Sequence, residues 1–212
     1  VVENPTFEYE ATGAQLYGVP DLTCEASAAS NAGSYSIVAS QGTIRNKNVT
    51  FVNGTLTITS KVVDSPTIIL SATSYTYDGN GKEPTVTIKD GGTTIPASEY
   101  SVSYTNNINV GTATVTITDA EGGNYAVSGS TTFVITSSDG SLTPPLGKSN
   151  LVYNGTAQNL ITAGSSTTGT VKYSLDGATY STTIPQGTDA GKYTVYYKVE
   201  GDANHNDVAA QS

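Results

Sequence analysis

The chain has 212 residues, of which only 13% are charged, and its net charge is −9. This charge opposes binding to nucleic acid and to anionic lipid surfaces, because both present phosphate. No apolar run reaches the roughly 18 residues of a membrane-spanning helix, and a single cysteine excludes an intrachain disulfide. The abundance of Thr, Val, Ile and Tyr favours strands over helices.

A short phrase occurs three times along the chain. Its copies are NAGSYSIV from Asn31, NVGTATVTI from Asn109 and DAGKYTVYY from Asp189. Gly33 and Gly111 are 78 residues apart, and Gly191 follows after a further 80. Apolar residues then recur at every second position, which is the period of a half-buried strand. A fixed repeat of this length predicts three related β modules.

Other strand and turn signals recur in step with the phrase. A polar loop follows each copy, at 45–48, 119–124 and 201–206. Dipeptides such as Asp78-Gly79 are typical of tight turns, because Gly and Asn accept a positive φ. Short strands between closely spaced turns predict an all-β fold, made of small antiparallel Ig-like β-sandwich modules in an elongated tandem array.

Two connector segments divide the chain into modules over 1–61, 62–138 and 139–212. The connectors are KVVDSP at 61–66 and SSDGSLTPPLGK at 137–148. The first module lacks an opening aromatic-turn signal, and the third stops where its closing strand is due. We therefore expect the first module to be truncated at its N-terminal side and the third at its C-terminal side.

The modules resemble repeats of bacterial extracellular proteins. The middle module, with YTYDGNGKEPTVTIKDGG and NVGTATVTITDAEGGNYAV, resembles a bacterial Ig-like repeat, and the third, with LVYNGTAQNLI and DAGKYTVYYKVEGDANHND, resembles a sister repeat. The first, with NPTFEYEATG, NAGSYSI and VTFVNGTLTIT, resembles the MBG-type repeat of bacterial adhesins. His205 departs from the pattern, which has an aromatic residue such as Tyr125 at this place.

This resemblance implies a function without catalysis or a cofactor. It predicts a stalk or spacer of a bacterial protein that is extracellular or attached to the cell surface, with its signal and anchor outside this segment. The expected partners are neighbouring repeats of the same chain. The alternative is an adhesin module that binds a host glycan or a host surface protein.

The residues themselves do not indicate an enzyme. The one histidine, His205, is not accompanied by a GxSxG nucleophile elbow. Two polar loops alternate oxygen-bearing side chains in a way that suits Ca²⁺; the candidate ligands are Asp119, Glu121, Asn124, Asp202, Asn204, Asn206 and Asp207. The second loop lacks the Gly and Glu of an EF-hand, so the favoured interpretation of both is a strand-joining loop rich in turn formers.

Overall fold

The computed structural model describes residues 5–212, and it confirms the all-β prediction. Within that range the only helical element is the 3-10 turn Ala97–Glu99. The strands up to the end of the middle module are β1 (Asp21–Cys24), β2 (Gly33–Ser40), β3 (Gly54–Ile58), β4 (Lys61–Val62), β5 (Thr67–Leu70), β6 (Ser74–Thr76), β7 (Val86–Asp90), β8 (Thr93–Thr94), β9 (Tyr100–Thr105), β10 (Gly111–Asp119), β11 (Tyr125–Ala126) and β12 (Gly129–Thr136). The later strands are β13 (Leu146–Gly147), β14 (Gln158–Asn159), β15 (Ile161–Thr162), β16 (Gly169–Ser174), β17 (Gln186–Gly187), β18 (Tyr196–Gly201) and β19 (Val208–Gln211).

The chain divides into two compact units. Unit 1 comprises the described residues up to Ile69 together with Thr87–Ser103 and Thr116–Ser130. Unit 2 comprises Leu70–Val86, Tyr104–Val115 and Thr131–Ser212. Each unit contains one of the two predicted connections between modules. The predicted boundaries after residues 61 and 138 remain predictions. The predicted start of the first module at residue 1, and Asn4 at the beginning of its NPTFEYEATG segment, lie outside the described residues.

In unit 1, the first copy of the phrase forms the middle strand of an antiparallel sheet. The sheet order is β1-β2-β3, with Tyr35 opposite Leu56. Side chains on one face of β2 are half-buried and those on the other are exposed, as the period-two pattern predicts. Fully buried apolar side chains of the first module are few and include Ala26 and Ile44.

The second copy of the phrase forms β10, whose apolar face is fully buried. Ala113, Val115 and Ile117 are each at most 2% exposed, whereas Thr112 and Thr118 at its two ends are exposed. The middle module has two sheets, of order β6-β12-β10-β9 and β5-β7-β8. The strand predicted for the second copy of the phrase is thus confirmed, with Ala113, Val115 and Ile117 on its inward face.

Parallel pairs add to the predicted antiparallel pattern. In unit 2, β12 pairs in parallel with β6. In unit 1, β4 in the connector pairs in parallel with β11 in the polar loop of the middle module. Strand direction depends on how distant segments meet, which a local hydrophobic pattern does not encode. No helix within residues 5–212 has the length and apolar character needed to span a bilayer.

The third copy of the phrase differs from the other two. Its strand, β18, begins at Tyr196 instead of directly at Gly191. In the first copy, the strand begins at Gly33 because Ile58 of the closing strand lies opposite. In the third, the pairing of β18 with β19 extends only as far as Tyr197, which faces Gln211, and residues 192–195 form no strand.

Candidate functional site

The polar loop of the middle module places an asparagine side chain on the phrase of the first module. Asn124 Oδ1 accepts a hydrogen bond from the Ala32 N–H at 2.8 Å. Asn124 Nδ2 donates to Asn31 Oδ1 at 2.9 Å. Both bonds lie within unit 1. We call this arrangement, made by Asn124 with Asn31 and Ala32, the first clamp.

The same arrangement recurs in unit 2, between the third module and the middle one. Asn204 Oδ1 accepts from the Val110 N–H at 2.9 Å, and Asn204 Nδ2 donates to Asn109 Oδ1 at 3.2 Å. The two asparagines of each clamp are 93 and 95 residues apart in the chain. This second clamp uses the same atoms in the same roles, so the contact is part of the repeat.

Hydrogen-bond chemistry explains which residue types occupy each position. The loop residue must donate and accept at once, and Asn does both through its amide. The first residue of the phrase needs only an acceptor, which either Asn or Asp supplies. The second residue contributes its backbone N–H, so its side chain is free to vary and only Pro is excluded. In the first two modules, the phrase Asn-x-Gly is therefore the receiving half of a connection between modules.

The glycine at the third position suits the same turn. Gly111 has φ of 140°, a backbone conformation that side-chain-bearing residues rarely adopt. The chain changes direction there and enters β10 directly. The residue before it, Val110, is half-buried, and its N–H donates to Asn204 Oδ1.

Each loop asparagine also holds the connector through its own backbone carbonyl. The Lys61 N–H donates to Asn124 O at 2.8 Å, and the Ser138 N–H donates to Asn204 O at 3.1 Å. In unit 1, Ser60 Oγ adds a bond to Gly123 O at 2.7 Å. One asparagine thus binds both the phrase of the preceding module and the segment that leaves that module.

Carboxylates fix the conformation of both loops, but from different places. In unit 1, Glu99 is 8% exposed, and its Oε2 accepts from the N–H groups of Asn124 and Tyr125. In unit 2, Asp202 Oδ1 accepts from the Asn204 N–H at 2.8 Å and lies 2.7 Å from His205 Nδ1. The Asn204 N–H first, and His205 second, hold the pKa of Asp202 below its usual value.

His205 has a role in the second connection that the sequence did not predict. Its ring packs edge-on against Tyr77 of the middle module, with centroids 5.3 Å apart and an interplanar angle of 88°. Its backbone forms a parallel bridge with Ser138. In the first connection, Tyr125 forms the corresponding pair with Lys61. An aromatic or imidazole ring beside the loop asparagine is therefore common to both connections.

All of the predicted calcium ligands except Glu121 already bind protein groups. Asp119 Oδ1 accepts from the Val127 N–H at 3.0 Å, and Asp207 Oδ1 accepts from the Gly201 N–H at 2.8 Å. Asn206 Oδ1 accepts from Ser137 Oγ at 2.5 Å, and Glu121 is exposed. Across residues 5–212, no group of three His, Cys, Asp or Glu side chains lies close enough to hold a metal ion. The calcium site stays a prediction.

We expect calcium to leave the thermal stability of the chain unchanged. Asp119 and Asp207 each hold their own loop through a backbone N–H, and within residues 5–212 no three His, Cys, Asp or Glu side chains converge to supply further ligands. Thermal melts in EDTA and in millimolar Ca²⁺ measure this. A midpoint that rises with the Ca²⁺ concentration would contradict the interpretation of both loops as strand-joining elements.

Asp176 provides a pH-dependent test of turn structure in the third module. Its Oδ1 accepts from Ser174 Oγ at 2.6 Å and from the N–H groups of Ala178 and Thr179, each at 2.8 Å. The Ser174 hydroxyl first, and these N–H groups next, hold the pKa of Asp176 far below its usual value. The ionised form is therefore favoured in the folded chain.

We expect the stabilisation by Asp176 to be complete at pH 7 and to disappear in acid. Because the folded pKa is depressed, the stabilisation is present above the unfolded pKa of about 3.9 and is lost as the pH falls towards the folded value. Urea unfolding of the wild type and of Asp176→Asn from pH 7 to pH 2 measures this. A difference in unfolding free energy that stays constant over this range would contradict it.

A spacing in the sequence marks the clamp residues, and the sequence analysis missed it. In every module an asparagine follows the first residue of the phrase by 15 positions; the pairs are Asn31 with Asn46, Asn109 with Asn124, and Asp189 with Asn204. Asn46 also donates and accepts, to Gln15 O at 2.9 Å and from the Tyr17 N–H at 2.6 Å. These asparagines lie in the polar loops, outside the alternating pattern that predicts the strands.

Comparison with known families identifies the repeat. Residues 2–57 match the MBG domain (YGX type), and residues 66–139 match a second MBG domain family. The middle module, which resembles a bacterial Ig-like repeat in its sequence, is thus an MBG domain. No curated protein and no solved structure matches the chain. MBG domains are typical of extracellular bacterial proteins. Residues 2–57 and 66–139 are therefore MBG-type repeats that follow one another in tandem.

Proposed function

We propose that this chain is a non-catalytic spacer of a bacterial cell-surface protein, whose modules are held at fixed angles by their connections. One observation carries this proposal: the same asparagine clamp, with the same donors and acceptors, occurs at both connections. A flexible string of modules has no need for a side chain that binds the preceding module. A stalk that keeps a terminal domain away from the cell does.

The bonds at each connection are sufficient to favour one orientation. Among the hydrogen bonds that join the first pair of modules, four are made with the loop residues Gly123 and Asn124: two by the Asn124 side chain, one to the Asn124 carbonyl, and one from Ser60 to the Gly123 carbonyl. Each intramolecular hydrogen bond contributes about 0.5–1.5 kcal/mol net. Their sum of at least about 2 kcal/mol corresponds to more than a tenfold preference for the joined arrangement.

The surface composition supports an inert role. Only 13% of the residues are charged, and the exposed ends of β10 present Thr112 and Thr118. Such a surface offers few charged groups to a ligand. It also keeps the exposed strand faces polar, which reduces association between sheets.

The width of an inter-module distance distribution tests the proposal. Spin labels are attached to Ser36→Cys and Ser103→Cys, two exposed positions in the first and middle modules, with Cys24→Ser removing the native thiol. Double electron–electron resonance is expected to give one narrow distribution of distances between the two spin labels. Asn124→Ala removes both side-chain bonds of the first clamp, and we expect a clearly broader distribution.

Asn80→Ala is the matched control for this experiment. Asn80 lies in an exposed turn, where its side chain donates a long 3.4 Å bond to Asp78 O of the same turn. This variant is expected to give the same narrow distribution as the labelled parent. A broad distribution in the parent, or an unchanged one in Asn124→Ala, would contradict the spacer proposal.

A depression on the third module favours a second candidate, the binding of a host glycan or surface protein. It has a volume of about 410 Å³ and is lined by Tyr173, Leu175, Asp176 and Ile184. Leu175 is 47% exposed and lies beside an ionised carboxylate, a combination of apolar and polar groups that suits a sugar. Saturable binding on a glycan array that is lost in Leu175→Ser supports this candidate, and no binding at all opposes it.

A further inference from the structure

We infer that the third module carries a receiving site for the polar loop of a further MBG-type module, formed by Asp189, the Ala190 N–H and Tyr153. The inference deepens the proposed function and depends on it, because it treats the clamp as a reusable connection. The occupant is a loop that presents an asparagine amide next to an aromatic or imidazole ring.

The third copy of the phrase has the conformation of a receiving half. Tyr193 Oη donates to Asp189 O at 2.9 Å, as Tyr35 Oη donates to Asn31 O at 2.8 Å in the first module. The tyrosine therefore fixes the start of both copies in the same way. Within residues 5–212, no hydrogen bond is made by the Asp189 carboxylate or the Ala190 N–H.

Burial distinguishes the receiving sites that are filled from the one that is not. Ala32 and Val110, whose N–H groups bind the clamp asparagines, are half-buried, whereas Ala190 is exposed. An exposed N–H and an exposed carboxylate are solvated, so the site costs nothing when empty. When filled, the carboxylate accepts the amide N–H₂ as Asn109 Oδ1 does in the second clamp.

The aromatic part of the site is also repeated. Tyr153 precedes a turn like the one that follows Tyr77. In both turns, a backbone N–H donates to the side-chain oxygen of the residue two positions earlier: the Asn80 N–H donates to Asp78 Oδ1, and the Thr156 N–H donates to Asn154 Oδ1. Tyr77 is half-buried with His205 against its ring. Tyr153 is 66% exposed, an unusual state for a tyrosine that has a packed counterpart.

The two parts of the site are joined by the same local pairing in both modules. Five residues after Tyr77, Lys82 donates from its N–H to the O of Asn107, two residues before the phrase. Five residues after Tyr153, Gln158 pairs with Gly187, again two residues before the phrase. The aromatic residue and the phrase are therefore brought together in the third module as they are in the middle one.

Within residues 5–212, the three loop asparagines at this spacing are already bound elsewhere. Asn124 and Asn204 already fill the first two receiving sites, and Asn46 binds Gln15 and Tyr17. A loop aspartate is excluded as the occupant, because its carboxylate would face that of Asp189 without a proton to share. A further module with an asparagine 15 positions after its own phrase meets every requirement.

An extended chain tests this inference. The extended chain consists of residues 1–212 followed directly by a second copy of residues 133–212. The first residues of the copy then lengthen β19, just as residues 133–136 form the second half of β12 in the middle module. Amide hydrogen exchange is then measured at Ala190 by NMR, in the original and the extended chain. We expect Ala190 to exchange at least tenfold more slowly in the extended chain, and the Tyr153 ring signals to shift.

Two references make the outcome decisive. Val110, which is already bound by Asn204, should be protected in both chains. Replacing the second copy's counterpart of Asn204 by alanine should return Ala190 to fast exchange. If Ala190 exchanges equally fast in both chains while the added module is folded, the receiving site does not exist. Slow exchange at Ala190 together with a failed spin-label experiment would instead show that clamps form without fixing the modules, which opposes only the proposed function.

Discussion

Glu99→Ala is expected to lower the free energy of unfolding by about 2–4 kcal/mol and to loosen the first clamp. The carboxylate is 8% exposed and accepts from two backbone N–H groups, of Asn124 and Tyr125. Hydrogen bonds to a charged group contribute about 1.5–3 kcal/mol each, and a buried donor left without an acceptor is destabilising. Alanine removes the acceptor and leaves both donors.

Urea unfolding gives the stability change, and amide exchange at Ala32 and Val110 separates the two clamps. Ala32 should exchange faster in Glu99→Ala, because its acceptor Asn124 is no longer held in place, whereas Val110 in unit 2 should be unaffected. Glu99→Gln keeps an acceptor oxygen of the same shape and should lose less stability. Wild-type stability in Glu99→Ala, or equal loosening of both clamps, would contradict this account of the loop.

Gly140→Ala is expected to cost about 1–3 kcal/mol and to weaken the second connection, because the residue has no room for a side chain. A Cβ atom at Gly140 would lie 2.4 Å from Asn206 O and 2.9 Å from Val208 Cγ2. The Asn206 carbonyl cannot move freely, since the N–H of the same residue donates to Ser138 O at 2.8 Å. The connector must therefore shift away from the loop that holds Asn204.

Gly147→Ala is the matched control in the same module. No atom lies within 4 Å of a Cβ at this position, and its φ is not positive. Alanine should therefore be neutral, or stabilising by about 0.4–1 kcal/mol through the unfolded state. Chemical unfolding and the exchange rate of the Val110 amide measure both variants. Equal stability of the two variants, with Val110 equally protected, would be inconsistent with close approach at Gly140.

Local patterns were sufficient to predict the strands and their inward faces. Alternation around Val115 predicted both the strand and its burial, because side chains on a strand point to opposite faces in turn. Turn dipeptides such as Asp78-Gly79 marked the limits of the strands. The strand predicted after the third copy forms as β18, but it begins only at Tyr196, five residues after Gly191, because strand formation depends on a partner and not only on alternation.

The clamps could not be predicted from the same patterns. An asparagine in a polar loop fits a turn, a calcium ligand or a hydrogen bond to a distant segment, and its neighbours in sequence do not distinguish these. Asn124 meets Asn31 across 93 residues, a contact set by how modules follow one another. Glu99, which orders that loop, lies in a different segment and carried no signal. The 15-residue spacing becomes meaningful only once the contact is seen.

Scalar couplings across hydrogen bonds test the central claim most directly, because they detect the clamp itself. In a long-range HNCO experiment on the deuterated chain, the Ala32 N–H should show a correlation to the side-chain carbonyl carbon of Asn124, and the Val110 N–H to that of Asn204. Both correlations should vanish in the corresponding Asn→Ala variants. If neither amide shows its correlation in the wild type while the strands β2 and β10 show theirs, the modules are not joined by these asparagines and the account is wrong.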